Sequence, residues 1–252
     1  IFIERGVIML EKAFDEYVSH YNLKNKDIYL KYTHSYRVMK LQEKYAKLLG
    51  FSMEDIELAR VIGLLHDLGR FEQLRVYKTY DDSKSIDHAD YSCTQLFSKK
   101  EIEKFVTNKD WYPIIEFAIR YHNKKILPEI EDKRMMMHAK LIRDTDKIDI
   151  IFLMGTLKEI NIKPVKRHIS KEVLKQFYER VEIDKCLVKN KNDHSVLQYA
   201  FVFDINNTIC LKEMARNYKT YHEIQKDNVE LTAVYEDIMK YIKERLENEG
   251  IR

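Results

Sequence analysis

Apolar residues recur at three- and four-residue spacings along most of this chain, the period of an amphipathic α-helix. The spacing predicts a helix over residues 3–22 and another from Asp27 to Leu49. The second carries Leu30, Val38, Leu41, Tyr45 and Leu48 on one face, with Gly50 as its stop. Ser52 and Asp55, a capping-box-like pair, open a helix through Leu68 that Gly69 ends or loosens. Residues 70–86 are polar, aromatic and basic and read as a loop or irregular segment. Asp87 or Ser85 caps a helix to about Ser98, Pro113 starts one through Tyr121, and a long helix runs from about Asp132 to Leu157. Beyond Pro164 the predicted helices are Ser170–Val181, Leu211–His222 and Asn228–Glu249, with Gly250 just past the last. Ser195–Asp204 suits either a buried helix or a strand and is assigned to helix.

Composition agrees with an all-α chain. Only 6 Gly and 3 Pro interrupt 252 residues, too few for a strand-and-turn protein. No repeat, low-complexity tract or long linker divides the sequence. A single helical domain is therefore expected over 1–252, with a core at about 28–155 and a C-terminal helical extension at about 156–252. Charged residues make up 34% but the net charge is only +3, which argues against a duplex-binding protein. Cys93, Cys186 and Cys210 form no CxxC pair, so neither a disulfide framework nor a thiolate zinc site is expected, and all three are assigned to core packing. No apolar run approaches the roughly 18–20 residues that span a bilayer. The opening IFIERGVIML lacks the features of a signal peptide, so a cytoplasmic location is expected.

The chemistry begins at LLHDLGRFEQ, Leu64–Gln73. With 9 His and 18 Asp in the chain, about 0.6 His-Asp pairs arise by chance, so His66-Asp67 alone proves nothing. The helical frame adds more. His34 falls in the series Leu30, His34, Val38, Leu41; His66 follows Leu58 and Ile62; His122 completes Ile115, Ala118, Ile119; Asp146 lies between Ile142 and Ile150. His88 shares a face with Ser92 and Leu96. A lone inward histidine is more often a packed core residue than a ligand. An inward carboxylate is different, because burial without a partner costs several kcal/mol. Four inward histidines and two carboxylates on separate helices satisfy one another best around divalent metal ions.

The ordered segments HSYRV (His34–Val38), LLHDLGRFEQL (Leu64–Leu74), SIDHADYS (Ser85–Ser92), YHN (Tyr121–Asn123) and IRDTDKIDI (Ile142–Ile150) resemble the HD superfamily of metal-dependent phosphohydrolases, in particular a bacterial HD-domain hydrolase subgroup. The resemblance covers about residues 28–155. It implies an all-α HD-domain bundle with additional C-terminal helices, in which His34, His66, Asp67 and Asp146 bind one metal ion. His88 and His122 match the further histidines of two-metal members, where Asp67 bridges the ions. The HD-GYP branch has paired histidines where this chain has His122-Asn123, and no GYP signature is present, which argues against a cyclic-di-GMP phosphodiesterase. Asp144 and Asp149 rival Asp146, but the family's pattern aligns with Thr145-Asp146-Lys147.

Such a site suits hydrolysis of phosphate esters by activated water. Mixed imidazole and carboxylate ligands favour one or two ions of Mn, Fe, Ni, Co or Zn over Mg. Catalytic roles fall to Asp67 and Arg70, and phosphate binding to Arg70, Lys84 and Lys147, with Arg75, Lys78, Lys124 and Lys125 behind them. Tyr77 and Tyr80 could stack on a base, though packing suits either. His138, His20, His168, His194 and His222 are assigned to packing or surface roles. The expected substrate is a small phosphorylated metabolite, first of all a nucleotide. The alternatives are a phosphodiesterase of cyclic nucleotides or nucleic-acid ends, and a non-catalytic metal and nucleotide sensor. No membrane partner is expected, nucleic acid is disfavoured, and the oligomeric state is not legible.

Overall fold

In the computed structural model, residues 2–156 and 167–251 are described. They carry eleven α-helices and no β-strand: α1 (Phe2–Ser19), α2 (Lys26–Leu48), α3 (Met53–Leu65), α4 (Leu68–Tyr77), α5 (His88–Cys93), α6 (Tyr112–Tyr121), α7 (Lys133–Thr156), α8 (Lys171–Tyr178), α9 (Lys191–Ala200), α10 (Leu211–Glu223) and α11 (Val229–Asn248). The chain is all-α. The separation expected at Pro164 lies outside the described residues. Two compact units are formed, Ile1–Ile142 and Arg143–Arg252, with α7 contributing to both. No described helix is long and apolar enough to cross a membrane.

Side-chain caps set the helix starts, Ser52 and Asp87 among them as the sequence predicts. Asn25 accepts from the backbone N–H of Asp27 and Ile28, Ser52 from Asp55, and Asp87 from Ala89 and Asp90. Each satisfies amides that a helix start leaves unpaired. Gly50 sits at φ +73°, the left-handed conformation that stops α2. The buried stripe of α2 is rotated from the expected one. Val38 and Tyr45 are buried as expected, together with Ile28, His34, Met39, Gln42 and Ala46, but Leu30 and Leu41 are only partly buried and Leu48 is exposed.

One segment overturns its expectation. Residues 70–86 do not form a loop throughout: α3 stops at Leu65, and Leu68–Tyr77 is a helix of its own with Phe71 and Leu74 in the core. Gly69 lies in the first turn of α4 and serves proximity, not termination. A Cβ there would stand 2.6 Å from Ser92 N and 2.9 Å from His88 O on α5. Gly63 does the same between α3 and α2, where a Cβ would meet Met39 Cα at 2.9 Å.

Asp55 clasps the start of α3 to the start of α7. Its carboxylate accepts from Ser52 Oγ at 2.7 Å, Arg134 Nε at 2.6 Å and His138 Nε2 at 3.1 Å. The Asp55 carboxylate can only accept, so His138 donates from Nε2, and burial pulls that imidazole below its ordinary value. Burial would raise the Asp55 carboxyl, but these donors and the Arg134 charge outweigh it and pull it down to about 2. A carboxyl held below its ordinary value stabilises the fold above that ordinary value and ceases to do so as it is protonated. Stability worth about 2 kcal/mol is thus expected to be lost as pH falls from about 4 to about 2. Asp55→Ala should flatten this part of an acid denaturation curve. An unchanged curve would show that the clasp contributes nothing.

In the second unit α8–α11 pack around Val173, Phe177, Val196, Leu211, Met214, Tyr218, Tyr221, Leu231 and Ile238. The segment Ser195–Asp204 is helical, as α9 and a following 3₁₀ turn over Phe201–Asp204. Cys93 and Cys210 are buried. Cys186 is exposed, against expectation, because it sits in a short 3₁₀ turn between α8 and α9.

Candidate metal centre

His66 and Asp67 stand at the break between α3 and α4. Asp67 occupies the N-cap position of α4 with φ −102°, yet its side chain caps nothing. The carboxylate turns instead into a pocket of histidines. His34 comes from the middle of α2, His88 from the first position of α5, and His122 from the residue that follows α6. All four histidines and Asp67 are buried, none more than 6% exposed.

The two oxygens of Asp67 face two histidine pairs. Oδ2 lies 3.5 Å from His34 Nε2 and 3.6 Å from His66 Nε2, while Oδ1 lies 3.5 Å from His88 Nε2 and 3.8 Å from His122 Nε2. Within the pairs, the Nε2 atoms of His34 and His66 are 3.2 Å apart, and those of His88 and His122 are 3.1 Å apart.

The tautomers decide what these separations mean. His88 Nδ1 is 2.5 Å from Asp82 Oδ2, and His122 Nδ1 is 2.6 Å from Ile119 O. Both partners can only accept, so each Nδ1 carries a hydrogen, and in its neutral form each ring points a lone pair from Nε2. Two lone pairs 3.1 Å apart cannot bond to each other. His66 is oriented in the same way by Gly63 O at 2.8 Å. Asp67 Oδ1, between His88 and His122, is buried and accepts no hydrogen bond. A cation resolves all of this. Imidazole nitrogens about 2.0–2.1 Å from one ion lie about 3.0–3.4 Å from each other, the range observed in both pairs. The donor set therefore fits divalent metal, and the Nδ1 acceptors supply the fixed orientation that metal-binding histidines require.

The charges agree. Burial would raise the Asp67 carboxyl, but the Lys31 and Arg70 charges beside it outweigh burial and hold it well below the usual carboxylate range. Burial, helped by Arg70, lowers His88 against the pull of Asp82 and Asp67, keeping the ring neutral as a ligand must be. Two groups that could hold an ion, His34-His66-Asp67 and Asp67-His88-His122, share Asp67. A third, Asp82-Asp87-His88, is already committed: Arg70 and Gln73 donate to Asp82, and Asn123 and Lys124 to Asp87.

The remaining expected residues fall in different places. Arg70 is beside Asp67, with Nε 3.6 Å from Oδ1, and is pinned through Nη1 to Gln73 Oε1, Tyr80 O and Asp82 Oδ1 at 2.7–2.8 Å. Lys84 is largely exposed and pairs with Asp81 at 3.0 Å, away from the groups around Asp67. Lys147 is buried in the second unit, 2.6 Å from Asp204. Asp146 lies on the α7 segment of that same unit and is partly buried. Its rival Asp144 is buried and accepts four hydrogen bonds from the backbone and side chains of Asn206 and Asn207, so it serves as a loop clasp. Tyr80 offers no open ring: its hydroxyl donates to Asp27 O, and Lys31 and Arg70 approach its ring.

Two residues escape sequence reasoning. Asp82 reaches His88 through the fold of the intervening loop, and nothing in the sequence signals it. Lys31 donates to Asp67 Oδ2 at 2.6 Å. It sits three residues before His34, one turn back on the same helix face, and that spacing was the available signal.

Residues 32–151 match the family model of the HD domain. The span includes His34, His66, Asp67, His88, His122 and Asp146. Neither the curated proteins nor the solved structures gave a match to the chain. The match and the histidine-aspartate geometry agree on an HD domain over residues 32–151.

Proposed function

We propose that the protein hydrolyses a phosphate ester of a small metabolite, with nucleotides the first class to test. The observation that carries the reading is a buried carboxylate whose two oxygens each face a pair of oriented imidazoles. Divalent ions bound there activate water and neutralise charge on the phosphate. Asp67 places its oxygens toward both positions, and the four histidines set the ligand directions. Arg70, immobilised by three acceptors, presents a fixed guanidinium to an incoming phosphate. Asp146 is assigned as the last ligand on the sequence pattern, supported by the commitment of Asp144 elsewhere. Mn, Fe, Co, Ni or Zn suits this donor set better than Mg.

The test is a phosphate-release screen on protein loaded with Mn²⁺, Co²⁺ or Ni²⁺. Monoesters, nucleoside monophosphates among them, should be cleaved at least about tenfold more efficiently than cyclic nucleotides or aryl diesters, and chelation should abolish the activity. Preferential diester cleavage would replace the reading with a phosphodiesterase. Tight nucleotide binding without turnover on any metal would replace it with a sensor.

A further inference from the structure

Two cations stand beside Asp67, and they are held in opposite ways. Arg70 is fixed by three acceptors on one nitrogen. Lys31 reaches Asp67 on a flexible four-carbon stem, its side chain 16% exposed at the rim of a pocket whose carboxylate is 3% exposed. Its ammonium bonds to Oδ2, the same oxygen that His34 and His66 face. A divalent ion on those two imidazoles would draw on that oxygen too, and its charge would repel the ammonium there. By moving aside, the ammonium relieves that repulsion. It has a place to go, because its Nζ is already 5.7 Å from the centroid of the Tyr80 ring, and Arg70 lies 5.6 Å from the same ring. A lysine turned to that side stands with Arg70 beside Asp67, and the two cations together would attract a phosphate.

We propose that Lys31 is an exchangeable cation, which neutralises Asp67 while metal is absent and binds the substrate's phosphate once metal takes the oxygen. The proposal rests on the reading of this pocket as a metal centre. It gives Lys31 two opposite effects: it competes with metal, and it attracts phosphate. A purely structural lysine has neither.

The experiment is calorimetric titration of metal-free protein with Co²⁺, and of Co²⁺-loaded protein with inorganic phosphate. It compares wild type with Lys31→Met, Lys31→Gln and Lys31→Arg, each confirmed as helical by circular dichroism. Both uncharged variants should bind Co²⁺ about tenfold more tightly and phosphate about tenfold more weakly, the value of one charged hydrogen bond, while Lys31→Arg restores phosphate binding. Unchanged or weakened Co²⁺ binding in the uncharged variants overturns the exchange, as does unchanged phosphate binding. If these shifts occur but no ester is hydrolysed, the exchange stands and the hydrolytic function falls. If no form of the protein takes up Co²⁺, both fall.

Discussion

Asp67→Ala should abolish phosphate release, by at least about 10³-fold in kcat with saturating Mn²⁺ or Co²⁺, and leave a helical, folded protein. Asp67 faces both histidine pairs, so its removal takes an anionic ligand from both positions at once. The size of the effect follows from charge. Without the carboxylate, each ion loses an anionic ligand, and affinity should fall together with rate. Folding should survive, because Lys31 is at the rim and can turn to water once its partner is gone. Asp67→Asn, which preserves shape but not charge, should be nearly as inactive. Metal content by elemental analysis, with kcat on the best substrate, is the measurement. Full activity in metal-replete Asp67→Ala would sink the mechanism.

The second large effect is expected at Gly69. Replacing it with Ala puts a methyl group 2.6 Å from Ser92 N and 2.9 Å from His88 O, both backbone atoms of the neighbouring helix. Neither can yield without moving α5. The substitution should cost about 3 kcal/mol, seen as a fall in Tm of roughly 6–12 °C. His88 begins α5, so any retreat of that helix draws His88 away from Asp67 and from His122. Metal content should drop on the His88-His122 side while His34 and His66 keep theirs. Gly50→Ala is the contrast. Nothing lies within 4 Å of a Cβ there, so only the positive φ resists it, at about 1 kcal/mol. Equal losses at the two glycines would show that the close approach of α4 to α5 carries no special weight.

Local signals made most of the helices legible. Caps such as Asn25, Ser52, Asp87 and Asn228 act on amides two or three residues away, and the apolar period is a property of each helix alone. The same period turned His34, His66 and His122 toward the core before any partner was known. Where the reading failed, a local signal had a non-local cause. Gly69 looked like a helix stop because glycine usually loosens helices, but here its missing Cβ admits the backbone of α5. With Gly69 read as a stop, residues 70–77 of this helix read as the start of a loop.

The candidate site divides along the same line. Residue types, their order and their inward faces are written in the sequence, which by itself determined an all-α chain carrying an HD pattern. Tertiary structure decided the rest: that Asp67, at a capping position, faces two histidine pairs, that Asp82 sets the proton on His88, and that Lys31 donates to Asp67. The physical reason is range. Helix period and capping act over three or four residues, whereas the separations of about 3 Å that create or forbid a metal site join residues 32 to 36 positions apart.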